Sequence, residues 1–290
     1  MNDLSRRSFL QATGAALAAA PLSKTAAKTQ TKRWRKAFML GGLTSGRVLP
    51  TFELLKEAGF EGVELISPNK LDLEEVLKAR DATGLLIHGV SGGVHWAKPL
   101  SDPSPEVVEE GLKAIRQEIL DCKAYGGTTV LVVPAVVTPK VSHRQAYERS
   151  QAAIRTLLPM AEEHKITLAI EEVWNRFLLS APEFARYVDE FQSPWVKAYF
   201  DVGNVVEYGY PQEWIRDLGK RIAKVHIKEY NKKERFSPKL GDGKEIDWPA
   251  IRQAFVDIGY EGWITAEVGM GDLGTMKDIV ARMDQVLGPF

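Results

Sequence analysis

Residues 166–201 read ITLAIEEVWNRFLLSAPEFARYVDEFQSPWVKAYFD, and this stretch holds the repeating unit of the fold. Two short β-rich runs, ITLAIE at 166–171 and VKAYFD at 196–201, enclose a helical pattern that opens at Ser180 with Glu183 three residues later. That pairing predicts a capping box, in which the two side chains satisfy backbone N–H groups left open by a first helical turn. Strand, helix and strand in succession make one unit of a parallel α/β sheet. Side chains alternate across a strand, and in the first run bulky Ile166, Leu168 and Ile170 alternate with Thr167, Ala169 and Glu171. If the bulky set faces the helices, Glu171 faces the opposite side and Glu172 points away.

Six further runs extend the pattern in both directions: AFMLGG (37–42), GVELI (62–66), LLIHGV (85–90), TVLVVP (129–134), IAKVHIK (222–228) and WITAE (263–267). Helix starts between them carry Ser104-Pro105, Ser142 with Gln145, and Asp247 with Pro249, while Gly59, Gly84, Gly126 and Gly259 mark helix ends. Eight strand and helix units predict an α/β protein with a single (β/α)8 TIM barrel over residues 28–290. An open doubly wound sheet would need a glycine-rich phosphate turn after an early strand, and Gly41-Gly42-Leu43-Thr44-Ser45-Gly46 lacks the spacing.

Composition agrees with a globular enzyme-sized chain. Of 290 residues 44% are hydrophobic, enough for a large core, and 38 basic residues balance 38 acidic ones, so no electrostatic grip on nucleic acid or anionic lipid is expected. A single cysteine, Cys122, excludes an intramolecular disulfide and a cysteine-rich zinc site; its helical setting predicts a core position. Residues 1–27, MNDLSRRSFLQATGAALAAAPLSKTAA, resemble a twin-arginine signal peptide, with Arg6-Arg7 before Ser-Phe-Leu and an alanine-rich run too short for a stable membrane anchor. The expected partner is the twin-arginine translocase and the expected location periplasmic or secreted. Removing the leader takes three basic and one acidic residue and leaves a charge of about −2.

Catalytic groups of such barrels sit at the carboxyl ends of the strands. The last four runs end in Glu171, Asp201, His226 and Glu267, one per strand, and the alternation that turns Glu171 inward does the same for the other three. A lone strand-end carboxylate is ordinarily a loop charge or a helix cap; four on successive strands with one parity predict a metal site. Three carboxylates and an imidazole are a hard donor set, suited to Mn²⁺ first, with Mg²⁺, Co²⁺ or Zn²⁺ as alternatives. By parity Lys228, His88 and Glu64 also face the barrel mouth and become candidate substrate contacts, and Trp96, Trp174, Phe177, Tyr208 and Trp248 are candidate stacking partners for a sugar ring.

The segments IEEVWNRFLLSAPEFARYVDE, AYFDVGNVVEYGYPQEWI, KVHIKEYN, LGDGKEIDW and WITAEVG resemble the xylose-isomerase-like sugar isomerase and epimerase superfamily, in particular its ketose 3-epimerase, L-ribulose-5-phosphate 3-epimerase and hexulose-6-phosphate isomerase branch. The resemblance implies metal ligation by Glu171, Asp201, His226 and Glu267, acid/base roles for Glu171 and Glu267, and a substrate contact at Asn204. VHWAKPLS is similar to the loop after the third strand in that family, which brings His95 and Trp96 to the substrate. Where ketose 3-epimerases carry a carboxylate after Asn-Arg-Phe, this chain has Leu178 after Asn175-Arg176-Phe177. The implied function is a divalent-metal isomerase or epimerase working through an enediolate on a free sugar, keto-sugar or glycoside. Sugar phosphates are cytoplasmic, so export disfavours them. A lyase or hydratase on keto-sugars or 3-keto-glycosides is the alternative, a non-catalytic sugar-binding barrel a third reading. A homo-oligomer is compatible with the sequence. A DNA-repair endonuclease on the same scaffold would need more histidines and a basic footprint.

Overall fold

A computed structural model describes residues 34–236 and 239–288; the leader lies outside them. Eight strands, β1 (Trp34–Leu40), β2 (Gly62–Ser67), β3 (Leu86–Gly92), β4 (Thr129–Val132), β5 (Thr167–Glu171), β6 (Val196–Asp201), β7 (Ile222–Ile227) and β8 (Gly262–Ala266), pair in parallel and in chain order into a closed barrel. All eight predicted runs are strands. Outside them lie α1 (Val48–Ala58), α2 (Leu73–Thr83), α3 (Pro105–Tyr125), α4 (His143–Arg155), α5 (Leu158–His164), α6 (Ala181–Asp189), α7 (Val202–Val205), α8 (Pro211–Leu218), α9 (Trp248–Asp257) and α10 (Leu273–Leu287). The connections after β4 and β6 each hold two α-helices where the sequence pattern suggested one, and a 3-10 turn at Gly219–Arg221 follows α8.

Local chemistry explains most boundaries. Ser142 and Gln145 form the expected capping box at α4, Ser104 caps α3 and Asp247 caps α9. Gly59, Gly84 and Gly126 close helices in the left-handed conformation that a side chain would strain. Ser180 is the exception: its side chain caps nothing, and Glu183 instead accepts the Leu179 N–H at 3.0 Å.

Two apolar layers result from the alternation. Leu168, Ile170, Ala198, Phe200, Val225, Ile227, Ile264 and Ala266 pack outward against the helices, whereas Ala169 and Tyr199 join Leu131 and Val133 inside the barrel. Cys122 is buried in the outer layer. The barrel interior also holds the buried polar side chains of Glu64, His88, Lys224, His226 and Thr265. No helix of the described residues is long and apolar enough to cross a membrane.

Candidate metal centre and active site

β5 and β6 end in Glu171 and Asp201, His226 is the penultimate residue of β7, and Glu267 directly follows β8. Because β6 and β7 pair Asp201 with His226 in register, ring closure brings the four residues to one point on the mouth. One ligand atom from each lies within 4.8 Å of all the others. His226 Nδ1 is 3.2 Å from Glu171 Oε1, 3.4 Å from Glu267 Oε2 and 4.0 Å from Asp201 Oδ2. Asp201 is fully buried, and its Oδ2 lies 3.1 Å from Lys228 Nζ without forming a hydrogen bond. Three converging carboxylates, two of them buried and one with an unsatisfied oxygen, are costly unless a cation neutralises them. The donor set fits a divalent ion.

Burial pushes Asp201 up to about 7 and raises Glu171, partly offset by the Lys228 and His226 charges respectively. Glu267 goes the other way: burial opposes ionisation, but His226 and Lys228 hold its carboxyl well below the usual range. His226 is raised well above an ordinary histidine because Glu64, Glu171 and Glu267 outweigh its desolvation. Lys228 Nζ donates to Glu267 Oε2 at 2.8 Å and is raised, against burial, by Asp201, Glu267 and Glu171.

A pocket of about 300 Å³ opens above these groups. His95, Trp96, Asn204 and Lys228, all expected near substrate, line it, as do Glu171, His226 and Glu267. Asp201 caps α7 by accepting the Asn204 backbone N–H at 2.8 Å, and Asn204 Nδ2 donates to the Glu172 carbonyl at 3.0 Å, so Asn204 is locked against two site-bearing strands. Burial lowers His95, which keeps its ring neutral at physiological pH.

Two expected substrate contacts lie elsewhere. Glu64 points inward but sits beneath the pocket, wholly buried, accepting the Tyr199 hydroxyl at 2.5 Å and facing His226 Nε2 at 3.1 Å. Alternation gives a residue's face, not its depth along the barrel. His88 is deeper still: its Nε2 is 3.0 Å from Thr265 Oγ1 and its ring stacks on Trp263 at 4.9 Å. It is the extra residue of an irregularity, since β2 pairs Val63 with Ile87 and then Glu64 with Gly89. Among the aromatics, Trp96 and Trp174 line the pocket; Phe177 and Trp248 are core residues and Tyr208 lies outside the lining. Leu178 is buried in the outer core, so nothing from that position reaches the site.

The sequence reading missed Met39, Ser91 and Phe236, which also line the pocket. Phe236 packs on Trp174 at 4.8 Å and lies 4.8 Å from Lys228 Nζ. It comes from the long loop after β7, where no periodicity reveals direction. Buried Glu229 anchors that loop by accepting the Gly241 N–H at 2.7 Å and Trp248 Nε1–H at 3.1 Å.

A family described as xylose isomerase-like TIM barrel matches residues 52–284. The chain is 26% identical over 231 residues to D-psicose 3-epimerase of Ruminiclostridium cellulolyticum, covering 74% of this chain and 76% of the relative. It is 23% identical over 255 residues to an L-ribulose-5-phosphate 3-epimerase of Escherichia coli O1:K1 / APEC, covering 81% and 89%. The solved structure of an L-ribulose 3-epimerase superposes with a TM-score of 0.76 at 20% identity, covering 87% of this chain and 94% of that one, which shows the shared fold.

Proposed function

Because the chain belongs to the xylose isomerase-like TIM-barrel family, whose matching relatives here are sugar epimerases, we propose that it is a divalent-metal-dependent sugar epimerase or isomerase acting on a non-phosphorylated sugar or keto-sugar. The observation that carries the reading is the pair Glu171 and Glu267. They reach one pocket from β5 and from the end of β8, with β6 and β7 between them, and both contact His226 Nδ1.

A proton on carbon next to a carbonyl is too weakly acidic for a free carboxylate to remove at neutral pH. Glu171, Asp201, His226 and Glu267 would hold the ion; when bound it supplies Lewis-acid stabilisation of the developing oxyanion, worth several kcal/mol. Each of Glu171 and Glu267 can hold the ion through one oxygen and exchange a proton through the other: one takes the carbon-bound proton and the other returns a proton to the opposite face, which inverts the centre. If delivery falls on the neighbouring carbon instead, the same residues interconvert an aldose and a ketose. Trp96, Trp174 and Phe236 form the pocket's aromatic wall.

The absence of a phosphate grip supports a non-phosphorylated substrate. Lys228 is the one lysine or arginine among the pocket-lining residues described, and its charge is committed to Glu267 and Asp201. Export belongs to the same proposal, motivated by Arg6-Arg7 in a leader outside the described residues. Residues 1–35 fused to a folded reporter should export it, and Arg6→Lys with Arg7→Lys should stop export; a cytoplasmic reporter overturns this part.

The main test is deuterium uptake from D₂O into ketoses and 3-keto-sugars by the Mn²⁺-loaded protein. Uptake next to the carbonyl, with the epimer or isomer as product, is expected, and Glu171→Gln and Glu267→Gln should each lower it at least about 100-fold. Uptake that survives complete chelation, or survives both substitutions, would falsify the mechanism; release of water or an aglycone would point to a lyase.

A further inference from the structure

β3 ends at Gly92, and the loop that follows it carries His95 and Trp96 to the site pocket. The loop turns tightly, the Val94 carbonyl accepting the N–H groups of Ala97 at 3.0 Å and Lys98 at 2.8 Å. It lies directly on α3, where a Cβ at Gly111 would be 2.5 Å from the Lys98 carbonyl oxygen, and Lys98 is also paired with Glu110 of that helix. Between loop, helix and β4 is a cavity of about 20 Å³, room for about one water molecule. Gly92, His95 and Leu131 line both this cavity and the site pocket and so form the partition between them. Glu118 of α3 also lines the cavity. It is buried, and neither of its oxygens makes a hydrogen bond within the chain. Its carboxyl rests on the bare backbone of Gly92, where a Cβ would lie 2.6 Å from Oε1 and 3.0 Å from Oε2.

We infer that Glu118 is a positioning residue for the site: through a water molecule in the cavity its carboxyl holds the His95 ring in one tautomer and one orientation toward the substrate. This rests on the proposed epimerase reading for what His95 contacts, and it adds a residue that lies outside the site pocket. A neutral imidazole has one donor and one acceptor nitrogen, and the partner on the side away from the substrate decides which is which. His95, Lys98 and Glu118 are the polar side chains lining the cavity, and the Lys98 charge is taken by Glu110. Glu118 and His95 are therefore the two groups that a water there can join, and joining them relieves the cost of a buried carboxyl with no partner. The link needs the Glu118 proton, since a carboxyl both donates and accepts only while protonated. Burial, with Asp121 adding to it, pushes Glu118 up to about 8, and His95, lowered by burial, stays neutral through that range. Around Glu118 stand Asp121 on its own helix, bonded by Ser67 and Gln117, then His95 and Lys98 on the loop, and apolar Leu131, Val132 and Val133 from β4 and its end.

Proton–nitrogen correlation spectra of the histidine rings in the Mg²⁺-loaded protein report which nitrogen of His95 carries the proton, with His95→Asn identifying the signal. At about pH 7 the parent and Glu118→Gln, whose amide also donates and accepts, should show one tautomer, and Glu118→Met, of similar length without a hydrogen-bonding head, should show both. Between about pH 7 and pH 9 the parent's His95 signal should move while that of Glu118→Gln stays. With the ketose that takes up deuterium fastest, Glu118→Met should raise KM about 3–10-fold and leave kcat within about twofold. Glu118→Gln should leave both unchanged at about pH 7, and Glu118→Met should add nothing in the His95→Asn background. Identical His95 spectra in the parent and Glu118→Met overturn the inference, as does a change that Glu118→Gln shares at about pH 7. If Glu118→Met does not fold, the comparison of parent with Glu118→Gln decides, and a parent signal that does not move overturns it. The expected spectra in a protein that exchanges deuterium into no ketose uphold the link from Glu118 to His95 and overturn the epimerase reading alone.

Discussion

The residue whose role differs most from its expectation is Glu64. Its two oxygens are divided between the Tyr199 hydroxyl and His226 Nε2, which leaves His226 Nδ1 turned toward Glu171 and Glu267. A carboxylate on the far nitrogen of a metal-binding imidazole fixes the ring's tautomer and strengthens it as a ligand. Glu64→Gln keeps the shape but removes the charge, and the affinity for Mn²⁺ should fall about 10–100-fold, measured by competition with a fluorescent chelator. Tyr199→Phe should lose less, in the same direction. An unchanged dissociation constant in both variants would show that His226 needs no support from below. The inward direction of Glu64 was legible from the alternation in GVELI, but its use was not, because that depends on which residue lies one layer above.

Elements show the same division between what is local and what is not. Helix α3 buries Leu112, Ile115, Glu118, Ile119 and Cys122 along one stripe, and the helical spacing alone places Glu118 in it. That a carboxyl on this stripe is buried without a partner is a fact of packing. Both oxygens of Glu118 lack hydrogen bonds, and Oε1 lies 2.6 Å from where a Cβ on Gly92 of β3 would be, so the carboxyl packs against the bare glycine backbone and any side chain there would push it aside. Burial, with Asp121 adding to it, pushes the Glu118 carboxyl up to about 8. A group raised in this way favours the fold fully below its ordinary value near 4.5 and loses that contribution as pH climbs through 8. Glu118→Gln should therefore flatten the decline of stability between pH 5 and pH 8, with a gain on the order of 3 kcal/mol over the parent at pH 8. Urea unfolding of the chelated protein at the two pH values checks this; parallel losses in parent and variant would exclude Glu118 as the source. Strands and caps were readable because their signals lie within a few residues, as at Ser142 and Gln145. The failed box at Ser180 and the extra residue at His88 depend on what packs against them.

At the scale of the whole molecule, closing the barrel converts four strand ends, far apart in the chain, into one charged cluster. That was legible because a closed parallel barrel puts every strand's carboxyl end at the same mouth, and the alternation around Glu171, Asp201, His226 and Glu267 is regular. Phe236 was not legible, since a loop has no such geometry. The cluster also has a consequence for stability. Buried Glu171 and Asp201 and half-buried Glu267 converge, and burial and mutual repulsion lift Asp201 to about 7 against the pull of Lys228. The metal-free barrel is therefore strained at its mouth, and any divalent ion held there stabilises the folded state by mass action. At a free Mn²⁺ concentration 100 times its dissociation constant the gain is about 2.7 kcal/mol, or roughly 5–10 °C in Tm for a chain of this size. Asp201→Asn should separate the two effects, because it removes a ligand and a repelling charge together. Its metal-free form should melt at or above the metal-free parent, while the shift on adding Mn²⁺ should nearly vanish. A parent whose Tm is unmoved by Mn²⁺, Mg²⁺, Co²⁺ and Zn²⁺ alike would mean that Lys228, already 2.8 Å from Glu267 and 3.1 Å from Asp201, is the cluster's permanent counter-charge.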